Sequence, residues 1–297
     1  MKHWLAAFRL RTLPLAFSSI LLGSFLAAFR DQFNWVILIM ALLTTTCLQI
    51  LSNLANDYGD FKSGVDNEDR TGPDRTLQSG VITQKAMFRM IILFAVLSIA
   101  LGFSLVFYAI PTEQLVPLLI FLALGIAATA AAIKYTMGKN PYGYRGLGDV
   151  FVFLFFGLTG VIGVYYLYTG TFHPDIILPA ASVGLFATGV LNLNNMRDIL
   201  GDTKSGKRTL VVMMGLPLAK RYHTFLLLSG LAAGIVFTLL NLQSAWQWLF
   251  LLVIPLLIKN IKTVLTTPVP EKLDPLLKQL AITTLLYSVL FGVGLLV

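Results

Sequence analysis

Asn56, Asp60, Asn194, Asp198 and Asp202 stand out as residues able to hold a hard cation. Gln49, Asn53, Asn56 and Asp60 are spaced four, three and four apart, so a helix would carry them as one polar stripe. Asn194, Asp198 and Asp202 are again four apart and share a face. Oxygen donors without His or Cys suit Mg²⁺ better than zinc, and several carboxylates beside Lys and Arg suit a cation bridging to a diphosphate.

The two passages match each other. Asn56-x-x-x-Asp60 corresponds to Asn194-x-x-x-Asp198, and "DRTLQSG" at 74–80 corresponds to "KRTLVVMMG" at 207–215. An internal repeat offset by about 138 residues would bring two equivalent helix ends to one site, with Asp57 and Asp66 nearby. Glu68, Asp69 and Asp74 are read as solvated loop acids or helix caps. A third polar cluster, "IKYTMGKNPYGYRGLGD", holds Tyr135 and Lys139 four apart, with Arg145 in a Gly/Pro loop. Cations there would cover phosphate oxygens and stabilise a departing diphosphate. His3, His173 and His223 share no helix face and receive no catalytic role.

The elements that position these residues are apolar. The chain of 297 residues is 57% hydrophobic and 12% charged, with a mean hydropathy of +0.79. Six of its fourteen acids nevertheless fall within 51–75. A helix needs about 20 apolar residues to cross a bilayer. Nine segments fit: 13–29, 35–57, 86–109, 115–136, 148–169, 176–197, 222–241, 245–266 and 279–297. The chain is therefore expected to be one all-α transmembrane domain over 1–297, with Asp-rich loops around 56–85 and 194–221.

Of the 22 Lys and Arg residues, 21 fall in the N-terminal segment and after helices two, four, six and eight, leaving Arg30 on the other side. The positive-inside rule predicts a cytoplasmic N-terminus and cytoplasmic polar loops. The net charge of +8 is spread over these short loops, which excludes a nucleic-acid-binding tract. The basic, apolar start is read as a retained first helix, not a cleaved signal, because Arg9, Arg11 and Pro14 precede its apolar run. Cys47, the one cysteine, lies in an apolar run and permits no intrachain disulfide. The aromatic run "VFVFLFFGLTGVIGVYYLY" reads as lipid-facing or packing, with some of its side chains available to line an apolar cavity.

At these residues the chain resembles the UbiA superfamily of intramembrane prenyltransferases, which have nine transmembrane helices and Asp-rich motifs on helices two and six. Asn56-Asp57-Tyr58-Gly59-Asp60 fits the first motif, Asp198-x-x-x-Asp202 the second, and Tyr135-x-x-x-Lys139 the Tyr/Lys element after helix four. Within the superfamily it looks most like the 1,4-dihydroxy-2-naphthoate polyprenyltransferases of menaquinone synthesis, on "RLRTLPLAFSSILLGS" at 9–24 and "NDYGDFKSGVDNEDRTGPDR" at 56–75. One departure stands out. Gly64 occupies the position of a third acid found in many relatives, and Asp66 is its nearest replacement.

The resemblance implies a polyprenyl diphosphate donor, an aromatic acceptor and about two Mg²⁺ ions on Asn56, Asp60, Asn194, Asp198 and Asp202. Asn53, Arg75, Lys207 and Arg208 become candidate substrate contacts. Tyr135, Lys139, Arg145 and Asp66 become candidates for the chemistry, Asp66 and Tyr135 among them as proton acceptors. For a dihydroxynaphthoate acceptor, loss of CO₂ and then oxidation would give demethylmenaquinone. The expected location is the bacterial inner membrane, with the active site facing the cytoplasm. A 4-hydroxybenzoate polyprenyltransferase is the alternative within this mechanism. A secondary transporter is the alternative outside it, given the repeats and polar stripes.

Overall fold

The computed structural model describes residues 2–64 and 76–297. Among these residues the regular secondary structure is entirely helical. Among the described residues nine helices are long and apolar enough to span a bilayer. They are α1 (Lys2–Ala28), α2 (Trp35–Lys62), α3 (Gln84–Ala109), α4 (Leu115–Lys134), α5 (Gly148–Thr169), α6 (Pro174–Arg197), α7 (Leu216–Leu240), α8 (Ala245–Thr266) and α9 (Pro270–Leu296). Helices are the expected solution, because a bilayer offers no water to satisfy backbone N–H and C=O groups.

Four boundaries depart from the sequence expectation. First, α1 is broken. A short helix, Lys2–Phe8, ends at Arg9 in a left-handed conformation (φ 47°, ψ 52°), and the spanning part is Leu13–Ala28. Pro14 sits in the first turn of that part, where its missing N–H costs no hydrogen bond. Second, α2 continues to Lys62 instead of stopping at 57, which keeps Asp60 on the same helix as the rest of the polar stripe. The backbone bond from Ser63 N–H to the Gly59 carbonyl, 3.0 Å, closes its last turn. Third and fourth, α7 begins at Leu216 and α9 at Pro270, each with a proline in the first turn.

Packing divides into two halves that meet at α1 and α5. Leu22, Leu26, Val161 and Tyr165 belong to a buried cluster with α6 to α9. Ile20, Val164 and Leu167 belong to another with α2, α3 and α4. Between α5 and α6 the contact is backbone to backbone: a Cβ added at Gly157 would lie 2.7 Å from Gly184 Cα. Small residues of this kind let membrane helices approach closely where no hydrophobic force drives them together. Phe153–Gly163 in α5 is wound as a π-helix, and Ser19 of α1 donates a hydrogen bond to its Phe156 carbonyl. At one end of the bundle Arg30 pairs with Asp175 at 3.0 Å. The motif residues gather at the other.

Candidate functional site

The last three turns of α2 present Asn53, Asn56, Asp57 and Asp60, and all four line one cavity. Asn53 donates to the Phe8 carbonyl (2.9 Å) and to Thr12 Oγ1 (3.1 Å), tying the break in α1 to the motif helix. Asp57 is 1% exposed and forms an ion pair with Arg9. Asp60 is 3% exposed and accepts a hydrogen bond from Tyr144 Oη at 2.6 Å. Thr136, in the turn after α4, donates to the Ala55 carbonyl at 3.0 Å and lies 3.2 Å from Asn56 Oδ1. Gly59 makes that approach possible, since a Cβ there would lie 2.6 Å from the Thr136 carbonyl oxygen.

The second motif straddles the end of α6. The helix turns at Asp198 (φ −92°, ψ 6°) into a short helix, Ile199–Lys204. The Asp202 N–H still bonds to the Asp198 carbonyl at 2.9 Å, which preserves the four-residue spacing across the turn. Arg197, 4% exposed, grips both Asp198 oxygens (2.8 and 2.7 Å) and Asn194 Oδ1 (2.9 Å), and it also pairs with Asp274 at the start of α9. Asp202 is buried with Lys207 Nζ 3.4 Å from its Oδ1, while its Oδ2 has no hydrogen-bond partner among the described residues. Burial above all, with the Asp198 and Asp60 carboxylates adding to it and Lys207 opposing, pushes the Asp202 pKa up to about 6.

The loop after α4 joins the two motifs. Tyr144 bonds to Asp60, and its ring lies 5.3 Å beneath the Lys207 ammonium. Its backbone carbonyl accepts from the Arg208 N–H at 3.1 Å. Burial and the Asp60 carboxylate hold the Tyr144 phenol above its ordinary pKa. Burial, followed by the charges of Asp149, Asp60 and Asp202, does the same for Tyr135. Both phenols therefore stay protonated and able to donate.

The cavity occupies about 1000 Å³. Its polar end carries Asn53, Asn56, Asp60, Tyr135, Asn194, Asp198, Asp202 and Lys207 among other charged residues, and an apolar stretch of its wall includes Leu105, Phe121, Phe155 and Phe156. The aromatic run of α5 thus does contribute to a cavity. Lys139, Arg145 and Arg208 do not reach the wall; each is exposed on a connecting segment. Asp66 and Arg75 lie outside the described residues. Sequence reasoning passed over Tyr144 and Arg197, although the first stands within the Gly/Pro run beside Arg145 and the second directly before a motif aspartate.

A family model described as the UbiA prenyltransferase family matches residues 16–290. The chain belongs to this family. It is 46% identical to "1,4-dihydroxy-2-naphthoate octaprenyltransferase" of Escherichia coli K12, over 98% of this chain and 94% of the relative. It is 44% identical to the Haemophilus influenzae protein of the same description, over 100% and 96%. Among solved structures it resembles the apo form of a UbiA homolog from Aeropyrum pernix K1 (TM-score 0.69, 16% identity, 97% and 96% covered). It also resembles a UbiA homolog from Archaeoglobus fulgidus bound to GPP and Mg²⁺ (TM-score 0.63, 16% identity, 98% and 100% covered). At that identity the likeness concerns the fold.

The donors present fit Mg²⁺. Every candidate ligand offers oxygen, and Asp202 keeps one buried carboxylate oxygen unpartnered. Among the described residues no group of three or more His, Cys, Asp or Glu side chains is placed to hold a metal ion by itself. Mg²⁺ commonly takes one or two carboxylates and completes its shell with substrate phosphates and water.

Proposed function

We propose that this enzyme transfers a polyprenyl group from a polyprenyl diphosphate to 1,4-dihydroxy-2-naphthoate in menaquinone synthesis. The observation that carries this reading is a single cavity with paired Asn/Asp motifs at its polar end and an apolar wall beyond them. The shared description of relatives at 46% and 44% identity supports the choice of acceptor and an octaprenyl donor.

Asn56, Asp60, Asn194, Asp198 and Asp202 would hold Mg²⁺, which when bound neutralises the diphosphate and makes it a better leaving group. Lys207 and the protonated phenol of Tyr135, both on the cavity wall, donate to the departing oxygens, while Tyr144 holds Asp60 in place. The apolar wall holds the tail and keeps water from the allylic cation that forms as the C–O bond breaks. The ring carbon bearing the carboxylate attacks C1. As the new C–C bond forms, CO₂ leaves and its bonding electrons restore the ring. Lys139, Arg145 and Arg208, exposed at the same end, attract the anionic substrates without contacting the reacting atoms. This end faces the cytoplasm of a bacterial inner membrane, in accord with the distribution of Lys and Arg.

The test uses detergent-purified protein, octaprenyl diphosphate and carboxyl-labelled acceptor, with and without chelator. Magnesium-dependent release of labelled CO₂ together with prenylated product is expected. Prenylation of 4-hydroxybenzoate with retention of its carboxylate, and none of the naphthoate, would overturn the choice of acceptor.

A further inference from the structure

Five cations and five acids line the cavity among the described residues: Arg9, Arg11, Arg197, Lys207 and Lys278 against Asp57, Asp60, Asp198, Asp202 and Asp274. The acids are engaged. Arg9 takes Asp57, Arg197 takes Asp198 and Asp274, Lys207 takes Asp202, and Tyr144 donates to Asp60. Lys278 stands four residues after Asp274 on α9, a spacing that ordinarily allows a helical ion pair, but Arg197 holds that carboxylate instead. Arg11 is likewise passed over by Asp57, which turns to Arg9. Arg11 and Lys278 make no ion pair among the described residues, yet both reach the cavity wall.

Their position adds to the charge argument. Arg11 lies in the turn Leu10–Thr12, which touches α9, and α1 and α9 pack along each other. Lys278 is one helical turn further into the span than Asp274, about 6 Å by helical rise. Both are exposed and both line the cavity, so their charges are open to it, and on a spanning helix such as α9 an ionisable residue facing a cavity is a candidate ligand contact. The diphosphate belongs with the Asn/Asp motifs of α2 and α6, so the α1–α9 side is left for the second substrate.

We infer that Arg11 and Lys278 form the binding site for the carboxylate of the aromatic acceptor, on the α1–α9 side of the cavity. This inference rests on the proposed acceptor being a carboxylic acid. Two cations recognising one carboxylate would orient the ring so that the carbon bearing the carboxylate faces the donor C1.

Arg11→Gln and Lys278→Gln are the test, with kinetics taken separately against each substrate. Each variant is expected to raise KM for 1,4-dihydroxy-2-naphthoate about tenfold while leaving KM for octaprenyl diphosphate unchanged. Naphthalene-1,4-diol, which lacks the carboxylate, should serve wild type and variants equally well. Quenching of the acceptor's fluorescence on titration with protein gives the same comparison without turnover. An unchanged acceptor KM, a raised donor KM, or equal loss with the diol would overturn the inference and point to lipid-headgroup contacts, diphosphate contacts or general damage respectively. Wild-type inactivity toward the naphthoate would overturn the proposed function as well, so the two failures are distinguishable.

Discussion

Gly59→Ala probes how the site is held together. The substitution adds one methyl group and ordinarily favours a helix interior by about 1 kcal/mol. Here the new Cβ would lie 2.6 Å from the Thr136 carbonyl oxygen and from Thr136 Oγ1. Reaching an ordinary contact of 3.4 Å requires the turn after α4 to retreat by about 0.8 Å. Thr136 bonds to the Ala55 carbonyl and lies beside Asn56, and Tyr135 precedes it, so the retreat disturbs both motif elements. Overpacking costs about 1–3 kcal/mol, which outweighs the gain in helix propensity. Displacement of positioning groups by about 1 Å commonly costs up to about a hundredfold in rate. The expected result is a lower unfolding midpoint and a kcat reduced about 10- to 100-fold. Gly125→Ala in α4 is the control, since its nearest neighbour would be Phe103 at 3.8 Å and stability should hold or rise. Wild-type kcat and stability in Gly59→Ala would refute the claim that this backbone contact positions the site.

Other outcomes follow from the same geometry. Asp60→Asn and Asp202→Asn should each lower single-turnover prenyl transfer by about a hundredfold or more, with the helical circular-dichroism signal retained; wild-type turnover in either would remove that residue from the metal set. Tyr144→Phe deletes the donor to Asp60 and should destabilise the chain by about 1–2 kcal/mol in a denaturant titration, and no change would mean that water replaces the phenol without loss. Because the Asp202 pKa is raised to about 6, a proton competes for this carboxylate below that pH. Mg²⁺ binding measured calorimetrically should therefore weaken as pH falls from 7 to 5 and level off above about 7, and Asp202→Asn should flatten that dependence.

The nine apolar runs, the polar stripe on α2 and the four-residue spacing after α6 were legible in the sequence because each is a local periodicity. Apolar length alone dictates a spanning helix, and the 3.6-residue turn alone puts Asn56 and Asp60, or Asp198 and Asp202, on one face. The helix ends were less legible: α2 runs on through Asp60 because its backbone bonds continue there, which hydropathy does not report. Partnership was not legible at all. Asn56-x-x-x-Asp60 and Asn194-x-x-x-Asp198 read as equivalent pairs, yet Asp60 is buried beneath Tyr144 while Asp198 is gripped by Arg197. Lys139, Arg145 and Lys207 carry the same charge in similar loops, but only Lys207 is folded against the cavity, over the Tyr144 ring. Such differences depend on where separate helices and loops meet in space. The residue types and their helical faces are set along the chain, whereas the choice of which cation neutralises which acid, and which are left over for substrates, belongs to the packed bundle.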